Sequence, residues 1–443
     1  MRELLHKARA VFHDATAHPV RDSDPQPWCA GIAAIFLALL LLRLDVPGRI
    51  YFDEVHYVKA ARVLLSMAKP INPEHPLVGK ELIAAGILLF GDQPWAWRIM
   101  PALFGTLGLY AFSRALWLAS QRRFATLAGT LLLATSFTWF VVSRIAMLDI
   151  FMASFTMLAM WMLAGAVRAD RVGTARWRLA LAGLFLGLAL GAKWNALAAA
   201  ALPGLAFLLL RLRRHGRHAL LATEGAPIAG ISLAEAALWL GTLPLLVYFA
   251  TFLPAFFYET KAINPLRIVE YQGYMLRLQH SVVKHHPYQS VWWQWVLDSR
   301  AIWFLYENVE GAQRGVIMLG NPLAMWAGIP ALGWALWAGW KQRRHDALAT
   351  ALLYLACIGM WVANGKPVQF YYHYLLPGAF LMACLGLALD ALWRRADRWR
   401  WLAPATLVLA TALFATFWPI LSAAQLCCGK PSFQWWMWLP GWR

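Results

Sequence analysis

The stretch Tyr51-Phe52-Asp53-Glu54-Val55-His56-Tyr57-Val58-Lys59-Ala60-Ala61-Arg62 follows an apolar run, 28 to 43, of a length suited to crossing a bilayer. Two adjacent carboxylates at a membrane exit are costly unless they face a polar cavity, and the pair suits a general base held beside an orienting partner. Helix capping accounts for one of them at most. Asp53 would cap a following helix well, but a capping box would place Glu or Gln at position 56, where His56 stands.

Working outward, 60% of the 443 residues are hydrophobic, 14% are charged and 26 are tryptophan, a surface too poor in charge for an ordinary soluble domain. The reading is an all-α polytopic membrane protein. Apolar stretches fall near 28 to 43, 95 to 117, 124 to 142, 150 to 167, 228 to 250, 322 to 340, 347 to 363, 372 to 393 and 401 to 421. The run 179 to 210 is too long for one helix and is broken at GAKWN, so it reads as two short helices, which brings the expectation to about eleven spans.

A formal charge of +18 raises the question of nucleic acid, but the basic residues lie in short clusters between apolar segments, the pattern of cytoplasmic loops. The clusters are Arg2, Lys7, Arg9 and Arg21; Arg122 and Arg123; Arg168, Arg171, Arg176 and Arg178; Arg211, Arg213, Arg214 and Arg217; Lys341, Arg343 and Arg344; and Arg394, Arg395, Arg398 and Arg400. All fall on the side of the N-terminus. The division that follows is a cytoplasmic tail over 1–27, a membrane domain over 28–421 and an extracytoplasmic C-terminal tail over 422–443. The five cysteines form no metal-ligand spacing, and cysteine chemistry is not expected.

Two outer loops, about 44 to 94 and about 251 to 321, are long enough to carry function. In the first, Val58, Ala61, Leu65 and Ala68 recur at helical spacing against His56, Lys59, Ser66 and Lys69; in the second, Ile268, Tyr271, Met275, Leu278 and Val282 do the same. Both predict amphipathic helices on the membrane surface, and the tryptophan-rich VWWQWVLDSRAIWFLYE belongs at headgroup depth.

The first loop also holds NPEHPLVGKE, with His75 between two prolines and Lys80 after Gly79, a pattern that a turn before the next span explains as well as a site does. Three basic residues break the inside pattern: Arg98, Arg144 (in SRIAMLD with Asp149) and Lys193. An isolated cation there commonly snorkels to headgroups, yet a lipid phosphate in a groove needs such partners. His285, His286, His373 and Lys366 fall on the same outer side; without a carboxylate at i+3 or i+4 the histidines read as interfacial hydrogen-bonding groups in preference to metal ligands.

Taken in order, FDEVHYVKAA, HPLVGK, WRIMPALFG, SRIAMLDIFMASF, LGLALGAKWNAL, HPYQS, IMLGNP and QFYYHYLLP resemble the protein O-mannosyltransferases and their bacterial relatives, the phospholipid-carrier-dependent glycosyltransferases of the GT-C superfamily. The resemblance runs from residue 52 to about 377. It implies a GT-C fold and inverting transfer of a sugar, typically mannose, from a polyprenyl phosphate to an acceptor hydroxyl outside the cytoplasm, with no metal and no cofactor. It implies that Asp53 is the base, that Glu54 positions the pair or the acceptor, and that Arg144 holds the carrier phosphate; Arg98, His75, Lys80, Asp149, Lys193, His286 and His373 follow as substrate-binding candidates. The expected partners are the lipid-linked donor, a secreted or membrane protein acceptor and membrane lipids; the expected location is a bacterial inner membrane, with the active site facing outward. The chain reads HPLVGK where the family has HPPLGK, so Leu77 replaces a proline, and 70 or so residues in the second loop leave no room for a MIR domain. Two alternatives stand beside this reading: transfer to a lipid or glycan such as lipid A, and a transporter or flippase, against which the clustering of charge at one face and the lack of paired interrupted halves both argue.

Overall fold

The computed structural model describes residues 22–281 and 283–443. The chain is mostly helical, and eight of the described helices are long and apolar enough to cross a membrane. In chain order they follow α1 (Gln26–Leu41), α2 (Glu54–Leu65) and α3 (Val78–Phe90), which lead into α4 (Pro94–Ser120), α5 (Arg123–Ala134), α6 (Phe137–Val142), α7 (Leu148–Val167), α8 (Val172–Ala192) and α9 (Leu197–His215). A continuous helical stretch over Leu233–Phe257 contains α10 (Leu233–Ala237), a π-helical turn over Leu238–Thr242 and α11 (Leu243–Ala250). After α12 (Ile268–Ser281) and α13 (Trp292–Val296) come α14 (Pro322–Lys341), α15 (His345–Ala363), α16 (Leu375–Trp393) and α17 (Leu402–Leu421). The eight are α4, α7, α8, α9, the stretch with α10 and α11, α15, α16 and α17; α1 and α5 are shorter apolar helices.

Helices α7 and α16 are the most buried spans, whereas α9, α10 with α11, and α17 keep much of their surface outward, as lipid-facing helices must. Small residues let α8 approach its neighbour closely: a Cβ at Gly183 or Gly187 would collide with the backbone carbonyl of Trp239 or Pro244. Asn321 of the IMLGNP motif caps α14 and donates through Nδ2 to the carbonyls of Thr135 (3.3 Å) and Ala410 (2.9 Å), tying three segments together.

Several expectations need adjusting. The two helices around GAKWN are not short: they run over 21 and 19 residues and break where expected, at an extended Lys193 followed by a 3-10 turn over Trp194–Ala196. Helix α2 forms in the first of the two long loops, but it ends at Leu65, which is exposed, so Ala68 lies beyond it. Helix α12 forms in the second, with Met275 as its buried residue; Val282 and residues 1–21, which include the first basic cluster, lie outside the described residues.

The fold is also not purely helical. Part of the tryptophan-rich stretch is a strand, β1 (Ile302–Val309), paired antiparallel with β2 (Ala312–Met318), to which β3 (Gln425–Leu426) adds an edge. The two-residue connection Glu310-Gly311 has positive φ at both positions (52° and 73°), the requirement of a tight hairpin turn. The C-terminal segment returns to this sheet: the Trp442 indole is buried and donates to the Asp298 carbonyl (2.7 Å).

Candidate active site

Helices α7 and α8 pack as an antiparallel hairpin of nearly equal arms. At 1.5 Å per residue each arm is about 30 Å long, so the first turn of α7 and the last residue of α8 meet at one membrane face. There Lys193 Nζ donates to both carboxylate oxygens of Asp149 (2.9 and 2.8 Å), and both side chains are buried. The ammonium also lies 4.8 Å from the centre of the Tyr372 ring, a cation–π contact.

Asp53 reaches the same place from the segment between α1 and α2. Phe52, just before it, has a φ of 48°, a left-handed conformation that a bulky residue adopts only when its surroundings hold it. Its ring is stacked on Phe304 at 3.9 Å, which fixes the turn. Asp53 stands at the N-terminus of α2, but its side chain makes no capping hydrogen bond, and no other described residue donates to it. Burial pushes the carboxyl up to about 6, against the pull of Lys193 and His56; Asp149 adds to the rise and Lys366 opposes it. A half-buried carboxylate left without a protein donor, in the field of two ammonium groups, is placed to take a proton from a third party.

Its neighbour Glu54 is in the opposite situation. Oε1 accepts from Arg98 Nε (2.8 Å) and the Ala146 N–H (3.1 Å), and Oε2 accepts from Arg98 Nη2 (2.9 Å) and the Tyr51 N–H (3.3 Å). Arg98 completes its set on the carbonyls of Leu44 (3.1 Å), Pro47 (2.8 Å) and Arg49 (2.9 Å). Both side chains are essentially unexposed. Arg144, expected at a phosphate, has its guanidinium at the C-terminal end of α1: it donates to the carbonyls of Leu39 (3.1 Å), Leu40, Leu42 (2.9 Å) and Arg43 (3.1 Å), and it is 5% exposed.

Comparison with known proteins adds the lineage. Residues 90–258 match the family model described as dolichyl-phosphate-mannose-protein mannosyltransferase, and residues 266–442 match the C-terminal four TMM region of protein-O-mannosyltransferase. This chain belongs to the protein O-mannosyltransferase family. It is a glycosyltransferase. A polyprenol-phosphate-mannose–protein mannosyltransferase of Mycolicibacterium smegmatis is 28% identical, the alignment covering 94% of this chain and 93% of that protein. A chain of the S. cerevisiae protein O-mannosyltransferase Pmt1-Pmt2 complex bound to the sugar donor superimposes with a TM-score of 0.78 at 14% identity, over 97% of this chain and 94% of that one. ArnT from Cupriavidus metallidurans bound to undecaprenyl phosphate does so at 0.59 and 17% identity, over 88% and 64%. Both have the same fold.

Among the remaining expected residues of this transferase, Lys80 is buried and donates to the carbonyls of Ile71 (3.4 Å), Asn72 and His75 (2.8 Å), so it shapes the NPEHP turn. Burial brings it down to about 7. His75 packs edge-on to Tyr57, and its Nδ1 is buried without a partner. Its basicity falls well below the ordinary range through burial and the neighbouring Lys193 and Lys80. His286 sits against Phe370 in a T-shaped contact and accepts the Tyr288 N–H through Nδ1 (3.2 Å); His373 is buried, stacked on Trp361 at 4.0 Å, and accepts the Phe370 N–H (3.0 Å). These two histidines join the HPYQS and QFYYHY segments, with the Ser290 N–H donating to the Gln369 carbonyl (2.9 Å).

Two further residues stand out, Lys366, which the sequence reading names beside the histidines without giving it a role, and Asp298, which it does not name. Lys366, half-buried before α16, lies in the field of Lys193, Asp149 and Asp53, its ammonium donates to no described residue, and burial lowers it to about 8. Asp298 is fully buried; its Oδ1 accepts from Tyr371 Oη (2.6 Å) and the Gly320 N–H (2.8 Å), while its Oδ2 has no partner. Nothing in the LDS context of Asp298 marks it.

Proposed function

We propose that this chain is an inverting mannosyltransferase that moves mannose from a polyprenyl-phosphate carrier to a Ser or Thr hydroxyl of a secreted or membrane protein. The observation that carries the proposal is the free Asp53 carboxylate beside the Asp149–Lys193 pair. In the step itself, the acceptor hydroxyl gives its proton to Asp53 while its oxygen bonds to the anomeric carbon. The carbon–oxygen bond to the carrier phosphate breaks on the opposite face, and the departing phosphate keeps the electron pair. Lys193 and Lys366 offset the charge that develops there. Glu54, Arg98 and Arg144 act at one remove, by fixing the loop that carries Asp53. His75, Lys80, His286 and His373 shape the walls.

The same reading divides the chain into a cytoplasmic tail over 1–27, an eleven-span domain over 28–421 and an outer tail over 422–443. It puts the protein in a bacterial inner membrane, with the site facing outward. Sidedness rests on the basic clusters and on the C-terminal segment joining the sheet of the second outer loop.

The test is transfer by the purified chain from polyprenyl-phosphate [14C]mannose to a Ser/Thr-containing peptide, with the product's anomeric configuration read by NMR. An α-linked mannosyl peptide from a β-linked donor is expected. Retention of configuration, or label found only on lipid when peptide and lipid acceptors compete, would overturn the proposal.

A further inference from the structure

At the opposite end of the α7–α8 hairpin, 16 residues and so about 24 Å along α7 from Asp149, lies a cavity of about 380 Å³ that the transfer reaction does not use. Three arginines, Arg168, Arg171 and Arg178, line it against one carboxylate, the exposed Asp170. Arg168 is partly committed, donating through Nε to the Leu118 carbonyl (2.9 Å). Arg178 is not: its Nε and Nη1 are buried and have no hydrogen-bond partner among the described residues. Unpaired guanidinium N–H groups inside a protein are costly and call for an acceptor. Gly165 on α7 makes their position feasible, because a Cβ there would overlap the Arg178 guanidinium.

The backbone adds to this. The cavity opens at the N-terminus of the 21-residue α8, where Arg171 occupies the capping position without a side-chain cap and Thr174 lines the wall. The first N–H groups of the helix therefore point where an anion would sit. Next in sequence to the lining Arg168, Arg171 and Arg178, Val167, Val172 and Trp177 are exposed apolar residues on membrane-spanning helices. A soluble anion needs none of these, whereas an acyl chain lying beside its own headgroup covers them.

We propose that the cavity of Arg168, Arg171 and Arg178 binds the phosphate of an anionic phospholipid at the membrane face opposite the candidate active site. Arg178 takes a phosphate oxygen through Nη2, the guanidinium nitrogen that is not buried, Arg171 and the α8 N-terminus take the rest, and the acyl chains run along Val172 and Trp177.

The full chain, purified in neutral detergent, is titrated with dioleoylphosphatidylglycerol, with dioleoylphosphatidylcholine and with inorganic phosphate, and bound lipid is counted by native mass spectrometry. Phosphatidylglycerol should bind and phosphatidylcholine should not. Arg178→Gln should weaken the phosphatidylglycerol complex about tenfold, and Arg171→Gln should weaken it in the same direction. Arg171 is exposed and donates to no described residue, so its variant keeps the test open if Arg178→Gln fails to fold. Arg213→Gln, a basic-cluster change outside the cavity, should leave binding unaltered. Unchanged phosphatidylglycerol binding in Arg171→Gln and in any folded Arg178→Gln, or equal binding of phosphatidylcholine, would overturn the proposal. Displacement of the lipid by an equal concentration of inorganic phosphate would assign the cavity to a soluble anion instead.

Discussion

Two buried ion pairs stand at the same membrane face among the described residues, and they are built differently. In Glu54–Arg98 nothing is left over: every guanidinium N–H has an acceptor, and each carboxylate oxygen accepts two bonds. In Asp149–Lys193 the ammonium spends two bonds on one carboxylate, faces the Tyr372 ring, and retains donor capacity beside an unpartnered Asp53. A saturated pair is a fastener, because any further ligand would have to break a bond already made. An unsaturated pair can receive charge. Adjacent carboxylates at 53 and 54 are therefore divided between the two regions, one holding the loop and the other free for chemistry.

The contrast breaks first at Arg98. Arg98→Ala leaves Glu54 buried beside three abandoned carbonyls, and removing one partner of such a pair costs about 3–5 kcal/mol. Purified protein should be scarce and its thermal midpoint in detergent markedly lower. A normal midpoint would show that the loop does not depend on this fastener.

A smaller stability effect is expected at Lys193. Lys193→Met strands Asp149 but abandons no backbone carbonyl, at a cost of about 3 kcal/mol, the lower end of that range, and should also lower sugar transfer. The double variant Lys193→Met/Asp149→Asn should recover stability without recovering transfer, because it removes the stranded charge but restores no cation. Joint recovery would make this pair another fastener.

The smallest change, of opposite sign, is expected at Asp53. Its carboxyl is raised from 3.8 to about 6, so the fold favours the neutral form. The stabilisation this gives is full below pH 3.8 and is lost as pH rises through 6. At pH 7.5 the charged group opposes folding, and Asp53→Asn should raise the midpoint by a few degrees at most, the gain shrinking as pH falls below 6. A lower midpoint at pH 7.5 would make Asp53 structural.

Much of this was legible in the sequence. Long apolar runs and basic clusters mark the spans, and GAKWN marks the break that delivers Lys193, because both depend on local composition. Among the candidate residues, Asp53 stood out as one of two adjacent carboxylates at a membrane exit, Lys193 as a cation that breaks the basic-cluster pattern, and Asp149 by its place in SRIAMLD with Arg144. Their division of labour did not, since whether an arginine meets a ligand or a helix end depends on packing: Arg144 reaches carbonyls about 100 positions earlier in the chain. The hairpin of β1 and β2 had a signal, Glu310-Gly311, just after a tryptophan-rich stretch read only for its affinity to the interface. Lys366 carried no neighbour in sequence to mark its partners, all of which arrive from other segments.

The most direct test of the division between the two carboxylates is turnover per folded molecule in Asp53→Asn, with polyprenyl-phosphate mannose as donor and folded protein counted by monodisperse elution. An amide fills the same space but cannot take the acceptor proton, so a loss of about a hundredfold or more is expected with the fold intact. Near-normal turnover in Asp53→Asn would contradict the account.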